Sequence, residues 1–451
     1  MKKIIVFGTC FSVIKRVLFL KLNFEIVAYI GKEEGDGKKI KQVFGEQVDE
    51  ITYIDIPKYE YDYILWIGNN YDEIMYKLII ELQISNKKIQ SLDVVFTRWW
   101  GKTIHSFGEE NPNKVFYVIS RGINESVAGL FCFFNDFLLE YRYALEQGYI
   151  PVLDMQNFYT NYSEISEFGK INIWEKFFLQ TNNIDLNEVY RSKNVMFAKS
   201  RSLLHQPDPF PIERAYFEET VRKYWNSVYK ESLIPSKDIS QSVDEEFGRM
   251  MQFAGNKKVI GISIRGVDHT RRKPFLHYVA PTYPDLINQL KILMDEWNME
   301  FLYVNADENA LIDELEMAFP GKIFFTERKR YDSYADDLDK TGVKSFSKDK
   351  PEWVTQIRFK RENDAYLRGK EYLVSTMLLA KCNAIVYSGC SSTLGALITS
   401  ENFERKYFYD LGLYGFEENS YSLTPVRRDI IVNDNPESID RLAYLNEWSE
   451  G

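Results

Sequence analysis

The chain has 451 residues, too many for one hydrophobic core, so two or three domains are expected. Apolar residues at 45% and charged residues at 27% are the proportions of a soluble globular protein, and a net charge of −10 argues against a nucleic-acid backbone as the main partner. An anionic small molecule stays open, because a few local arginines are enough to hold one.

Aromatic residues reach 15%, with 30 Tyr and 31 Phe; some could stack on sugars or bases, but most fill cores. Cys10, Cys132, Cys382 and Cys390 form no C-x-x-C pair and have no metal-ligand spacing with the four histidines, which fits reduced thiols in a cytoplasmic protein. The opening MKKIIVFG carries an apolar run of strand length, shorter than the core of a signal peptide. No apolar stretch is long enough to span a membrane, which leaves only peripheral membrane association open.

Residues 2–95 read as a small α/β unit. IIVFG (4–8), EIVAYIG (25–31) and DYILWIG (62–68) are β-rich, and DEIMYKLIIELQI (72–84) has helical periodicity. A strand ending at Gly8, then a turn and a helix, suggests a dinucleotide fold. However, GTCFSV lacks the second and third glycines of the fingerprint, and Gly31 stands where a ribose-binding acid would be wanted. The expectation is a Rossmann-like domain of about 100 residues without bound NAD. VFTRWWGKT (95–103) reads as a connection.

A second unit, 101–250, begins with the buried strand KVFYVIS (114–120), followed by a long apolar helix and a strand from Tyr149 to Asp154, half of a parallel α/β repeat. Trp174, in NIWEKFF (172–178), is expected to pack a helix rather than line a cleft. QPDPFPI (206–212) breaks any helix, and residues 213–253 have a helical pattern, with Phe217, Val221, Tyr224 and Trp225 along one face.

The third unit, 251–451, holds the two most informative stretches. The first is KKVIGISIRGVDHTRRKPFLHY (257–278), whose apolar run ends in Arg265, Gly266 and Asp268. An arginine at a strand's carboxyl edge can fork onto two phosphate oxygens, and a neighbouring glycine lets a ligand approach the backbone. T-Y-P-D at Thr282 to Asp285 is a helix start, FLYVNAD (301–307) is a strand ending in Asp307, and KIFF (322–325) is another. Residues 326–368 are charged and poor in apolar runs, a long excursion expected to be a mobile or substrate-facing segment. The second informative stretch is GKEYLVSTMLLAKCNAIVYSGCSSTLGALITS (369–400). Here a helix and the strand AIVYS lead to Ser391, Ser392 and Thr393 and a helix from Leu394, an arrangement that aims backbone N–H groups and hydroxyls at an anion. Alternatively, Ser391 or Ser392 serves only as an N-cap. KYFYDLG (406–412) supplies a final strand, and residues 436–450 a tail helix expected to cross back over the cleft.

IGISIRGVDH resembles the H-x-R-x-x-D stretch of the GDP-fucose-dependent fucosyltransferases, the core, nodulation-factor and protein O-fucosyltransferases. YVNADEN, LLAKCNAIVYSGCSSTLGALI and GLFCFFNDFLLEYRYALEQGYIPVLDMQNFY are similar to other segments of that family, in the same order, over roughly residues 114–412. The resemblance implies an α/β protein of GT-B type, a pair of Rossmann-like domains preceded here by the small amino-terminal one. It implies a bacterial, cytoplasmic glycosyltransferase of polysaccharide biosynthesis that moves a sugar, fucose first, from a GDP-sugar to a glycan acceptor. It also places Arg265 on the donor's β-phosphate, Asp268 on the motif acid, Asp307 on the donor-domain aspartate, and Ser391 with Ser392 on the phosphate-binding serine pair. The family histidine two residues before the arginine is Ser263 here, its lysine after the motif acid is His269, and the helix aspartate has no clear counterpart, Glu371 being the nearest acid.

Breaking an anomeric C–O bond puts negative charge on the β-phosphate, which a metal or fixed donors must stabilise. The chain offers no compact cluster of acids for a metal, so metal-independent, inverting transfer is expected, with Arg265 and the serine-rich turn as donors. The proton acceptor stays open among Asp268, His269 and His277. Two rivals are a non-catalytic nucleotide- or glycan-binding protein and an NAD-linked oxidoreductase.

Overall fold

A computed structural model of the chain describes residues 1–31, 33–67, 74–120, 128–181, 184–198, 207, 209–265, 277–330, 358–414 and 429–431. Gly266, Asp268 and His269, the stretch 331–357 and the tail 436–450 lie outside the described residues. The chain divides into two compact units, Met1–Ser126 with Ala144–Glu175 and Gln180–Lys199, and Val127–Tyr143 with Lys176–Leu179 and Ser200–Gly451. The α/β class read from the sequence holds: parallel strands alternate with helices in both units.

The first unit carries two sheets. Strands β1 (Lys2–Phe7), β2 (Phe24–Ile30), β3 (Asp49–Glu50), β4 (Tyr63–Trp66) and β5 (Ile89–Ser91) form a parallel sheet in the order β3-β2-β1-β4-β5, a Rossmann-like arrangement. Strands β6 (Phe116–Ile119), β7 (Ile150–Leu153) and β8 (Val195–Phe197) form a second parallel sheet with β6 in the middle. The stretch read as a connection is instead the helix Leu92–Trp100. Its apolar face explains the difference: Trp99 packs 5.3 Å from Phe19 in the core beside the first sheet, and Trp100 stacks 5.0 Å from Phe197 in the second. The stretch 72–84 includes a π-helical turn, Tyr76–Glu81. Trp174 is fully buried, as packing requires.

The second unit is built on β9 (Val259–Ser263), β10 (Phe301–Val304), β11 (Ile323–Phe324), β12 (Ala384–Tyr387), β13 (Arg405–Tyr409) and β14 (Asp429–Ile431). Their order is β11-β10-β9-β12-β13-β14, parallel except for β14, which runs antiparallel to β13. All five residues of β9 are buried, because helices cover a parallel sheet on both faces, and this is why the strand reads as an unbroken apolar run. The chain moves outward from β9 to β10 and β11, then returns to the other side of β9 as β12. The order therefore reverses between β9 and β12, the switch point at which open α/β sheets leave a crevice at their carboxyl edge.

Local chemistry sets the helix ends. Thr282 Oγ1 accepts the Asp285 N–H at 3.3 Å, a proline enters the first turn of Tyr283–Trp297, and Asn298 closes it at φ 50°. The helical pattern of 213–253 resolves into a short 3₁₀ turn, Ile212–Tyr216, and two helices, Glu219–Ser232 and Lys237–Phe253, parted where Ser236 caps the second. The helix expected from Leu394 begins three residues earlier and runs Ser391–Thr399.

Gly261 lies beneath the helix Asp364–Leu379, and a Cβ there would sit 2.5 Å from Leu379 Cδ1. Gly261→Ala is therefore expected to destabilise the unit by about 1–3 kcal/mol through overpacking. The check is a lowered thermal midpoint, and an unchanged one would contradict this packing.

Candidate functional site

Four loops meet at the carboxyl edge of the second unit's sheet. Arg265 follows β9 by two residues, and its backbone N–H donates to Ser388 Oγ at 3.3 Å, tying the ends of β9 and β12 together. Its Nη1 stands 4.0 Å from Asp307 Oδ2, at the limit of an ion pair. Asp307, three residues past β10, has its other oxygen 3.0 Å from Arg328 Nη2. That nitrogen also donates to the carbonyl of Ala306 and, at 3.4 Å, to Asn305 Oδ1. Arg330 donates to the carbonyls of Thr326 at 2.7 Å and Ala306 at 3.2 Å. Burial first, and the like charge of Arg328 second, push the Arg330 guanidinium down to about 10. Among the described residues, three arginines thus gather around the Asp307 carboxylate, an arrangement suited to an anion.

Two neighbours from the helix Asp364–Leu379 complete the surroundings. Glu371 is held by both terminal nitrogens of Arg361 and supports the charge on Arg330 from a distance. Tyr372 keeps its proton well above the usual phenol range, through burial first and Asp307 second, while Arg265 pulls the other way.

Across β9, the turn after β12 presents the start of Ser391–Thr399. Its cap residue, Cys390, makes no side-chain capping bond, so its side chain does not satisfy the backbone N–H groups of the first turn. The hydroxyls differ in what they do. Thr393 Oγ1 is fully buried, 2.9 Å from Ser263 Oγ and 3.1 Å from Cys390 Sγ. Ser392 Oγ lies 3.2 Å from the same sulfur, and Ser391 Oγ lies 3.4 Å from Cys132 Sγ. The Ser391 carbonyl accepts from Asn135 Nδ2 at 3.2 Å, and the Cys390 carbonyl from the Tyr216 hydroxyl at 2.8 Å.

The predicted residues Arg265 and Asp307 are therefore brought together, and Ser391, Ser392 and Thr393 stand at the adjacent strand end. Gly266, Asp268 and His269 lie outside the described residues. His277 is exposed, and its carbonyl accepts the Tyr414 N–H at 2.9 Å. The next residue, Tyr278, packs so closely on Gly389 that a Cβ there would lie 2.1 Å from its ring, which places His277 at the same edge of the sheet. Sequence reasoning missed Arg328, Arg330 and Tyr372. The signal for the arginines was available: T-E-R-K-R follows the strand KIFF as R-G-V-D follows IGISI, basic residues directly past an apolar run. Ser263, where the resemblance wants a histidine, is a buried hydroxyl already paired with Thr393.

The amino-terminal Rossmann-like sheet treats its own helix start differently. Thr9 caps Cys10–Ile14, and the buried carboxylate of Asp36 accepts from the Cys10 N–H and the Tyr29 hydroxyl, both at 3.3 Å. Burial and Asp36 push the Cys10 thiol up to about 12. A dinucleotide pyrophosphate brought to this turn would meet a resident negative charge.

Among the described residues, no group of three or more His, Cys, Asp or Glu side chains could hold a metal ion, and no helix is long and apolar enough to cross a membrane. No family model matches the chain, and no curated protein sequence matches it. Among solved structures it is similar to NodZ alpha-1,6-fucosyltransferase soaked with GDP-fucose, at 14% identity and TM-score 0.39 over 71% of this chain and 100% of that one. It is also similar to a mutant of Arabidopsis thaliana FUT1 in complex with GDP, at 10% identity and TM-score 0.39 over 81% and 82% of the two chains. A third likeness is to POFUT1 in complex with GDP-fucose, at 12% identity and TM-score 0.27 over 90% and 97%. At these values the likenesses assign no role to any residue.

Gly389 gives a direct test of the turn. Gly389→Ala must displace the Tyr278 ring or the turn itself, so a lower thermal midpoint and weaker phosphate binding are expected together. A folded variant that binds phosphate as well as the parent would remove this turn from the anion site.

Proposed function

We propose that the chain is a glycosyltransferase of GT-B type that uses a nucleoside diphosphate sugar. The observation that carries the reading is the gathering of Arg265, Arg328 and Arg330 around Asp307, beside an uncapped helix start, at the switch point of a parallel sheet. A diphosphate needs such a place, and its charge grows as the sugar departs. Arg265 serves as the preorganised donor to the β-phosphate, and the first N–H groups of Ser391–Thr399 serve as a second set. With these donors the reaction runs without a metal and inverts the anomeric centre, one hydroxyl of a glycan acceptor replacing the diphosphate. Asp268, His269 and His277 are the groups to test as its proton acceptor. The sequence resemblance supports a GDP-sugar, fucose first, and polysaccharide biosynthesis in a bacterial cytoplasm as the setting.

A second reading, a binding protein descended from such an enzyme, is favoured by one observation: Ser263 stands in the family histidine's place and is turned toward Thr393. Hydrolysis of the donor in the absence of acceptor separates the two readings.

Two outcomes are expected. GDP binds more tightly than UDP or CMP by calorimetry, and its binding survives EDTA; a preference for UDP, or loss on chelation, would point to another class of transferase. Arg265→Ala loses roughly 10²–10³ in kcat, the typical effect of removing one preorganised donor. Arg265→Lys does not restore turnover fully, because an ammonium lacks the planar fork. Ser391→Ala has the smaller effect, since the backbone N–H groups remain. Near-parental turnover by Arg265→Ala with a verified donor would make Arg265 an ordinary surface charge.

A further inference from the structure

Two consecutive peptide units at the start of the helix Ser391–Thr399 have their carbonyls held from outside the helix. The Cys390 carbonyl accepts the helix's own Leu394 N–H at 2.9 Å and, in addition, the Tyr216 hydroxyl at 2.8 Å. The second bond comes on top of the helical one, so it is not what closes the first turn. The Ser391 carbonyl accepts the Asn135 side-chain amide at 3.2 Å. Both donors are buried, Tyr216 at 5% and Asn135 at 8% exposure, and both are themselves fixed. The Tyr216 carbonyl accepts the Tyr387 hydroxyl at 2.6 Å, and its ring stacks 6.1 Å from Phe408, which ties it to β12 and β13. Asn135 stands on the helix Leu130–Glu146, whose Phe131 ring fills the space that a Cβ of Gly395 would need. Burial first, and Cys390 second, keep the Tyr216 proton in place well above the usual phenol range, so the hydroxyl remains a donor at any working pH.

A trans peptide unit is planar, and its C=O and N–H point in opposite directions. A donor that fixes the Cys390 carbonyl therefore fixes the direction of the Ser391 N–H, and one that fixes the Ser391 carbonyl fixes the Ser392 N–H. In the first turn of a helix these N–H groups face away from the helix body. Hydrogen bonds in such a chain also polarise one another, so each bond to a carbonyl makes the N–H of the same unit a better donor. We infer that Tyr216 and Asn135 are positioning residues of the anion site: each holds one carbonyl of the turn after β12 and so aims and strengthens one backbone N–H toward a phosphate beside Arg265. Ser388 joins the two parts, because its hydroxyl accepts the Arg265 N–H at 3.3 Å only two residues before Cys390. This role rests on the proposed donor site for the place of the ligand. What it adds is that side chains remote from the ligand set the direction of the donors that meet it.

Inorganic pyrophosphate is the probe, because it reports the anion site without the base or the sugar. Calorimetric titration of the full chain compares the parent with Tyr216→Phe, Asn135→Leu and the double variant. Asn226→Leu is the structural control: Asn226 Nδ2 donates to the carbonyls of Ile398 at 2.7 Å and Ser400 at 3.2 Å, the same kind of bond at the other end of the same helix. Tyr216→Phe and Asn135→Leu are each expected to weaken pyrophosphate binding about threefold to tenfold, the size of one net hydrogen bond. The double variant is expected to lose more than either single one. Asn226→Leu is expected to lower the thermal midpoint yet keep the affinity within about twofold of the parent, a separation that mere support of the helix would not produce. Tyr216→Phe removes a single oxygen and keeps the ring, so it decides the matter should Asn135→Leu fail to fold. Affinity of Tyr216→Phe within about twofold of the parent, or a loss in Asn226→Leu as large as in Tyr216→Phe, would overturn the inference and leave the donor reading standing. No pyrophosphate binding by the parent would overturn both. Should the affinities follow the expected pattern while no nucleotide sugar is hydrolysed or transferred, the alignment stands and the donor reading falls.

Discussion

Positive charge is crowded at the carboxyl edge of β9, β10 and β11, where Arg265, Arg328 and Arg330 meet Asp307 among the described residues. Arg328 and Arg330 lie side by side, and burial together with mutual repulsion lowers the affinity of Arg330 for its proton. Such crowding opposes folding unless hydrogen bonds hold the groups, and here strand-end carbonyls do so, with Ala306 O accepting from both arginines. The two guanidinium groups are thereby fixed to the end of β10. Most other features of the second unit serve this edge. The buried β9 carries Arg265 to it, the Thr393–Ser263 pair fixes the start of Ser391–Thr399 against β9, and Arg361 with Glu371 secures the helix above it.

Glycine has a matching part in the same unit. At Gly261 the helix Asp364–Leu379 comes close to the strand, at Gly389 a tyrosine ring covers the turn, and at Gly395 the ring of Phe131 lies 2.2 Å from where a Cβ would stand. Each missing side chain lets a layer approach the next, so the strand ends and the helix start are held by packing on several sides. Interiors packed in this way transmit displacements rather than absorb them.

What could be read in the sequence followed from how strongly each element declares itself. The buried strands IGISI, FLYV and AIVY are continuous apolar runs, so the position of Arg265, Asp307 and Ser391 just past strand ends could be read before the fold was known. Shorter elements did not declare themselves. β8 is three residues and β3 only two, and their existence depends on partners distant in the chain. The helix Leu92–Trp100 was hidden because its β-branched and aromatic residues have a weak preference for helix, and tertiary burial of the two tryptophans overrides that preference. Arg328 and Arg330 were hidden for another reason: a run of charges past a strand looks the same whether water or an internal carboxylate receives them. Only the pairing with Asp307 separates the two cases.

The carboxylate of Asp36 gives the amino-terminal sheet a property of its own. A nucleotide-binding fold normally gains stability from its ligand, so that its folded population tracks how much of that metabolite the cell holds. Here the helix start already carries an acceptor supplied by the chain, at a fixed stoichiometry of one and with no dissociation. The stability that this contact gives the helix start therefore does not depend on the concentration of any ligand. That insulation makes the helix start a fixed structural joint, set by the chain's own composition.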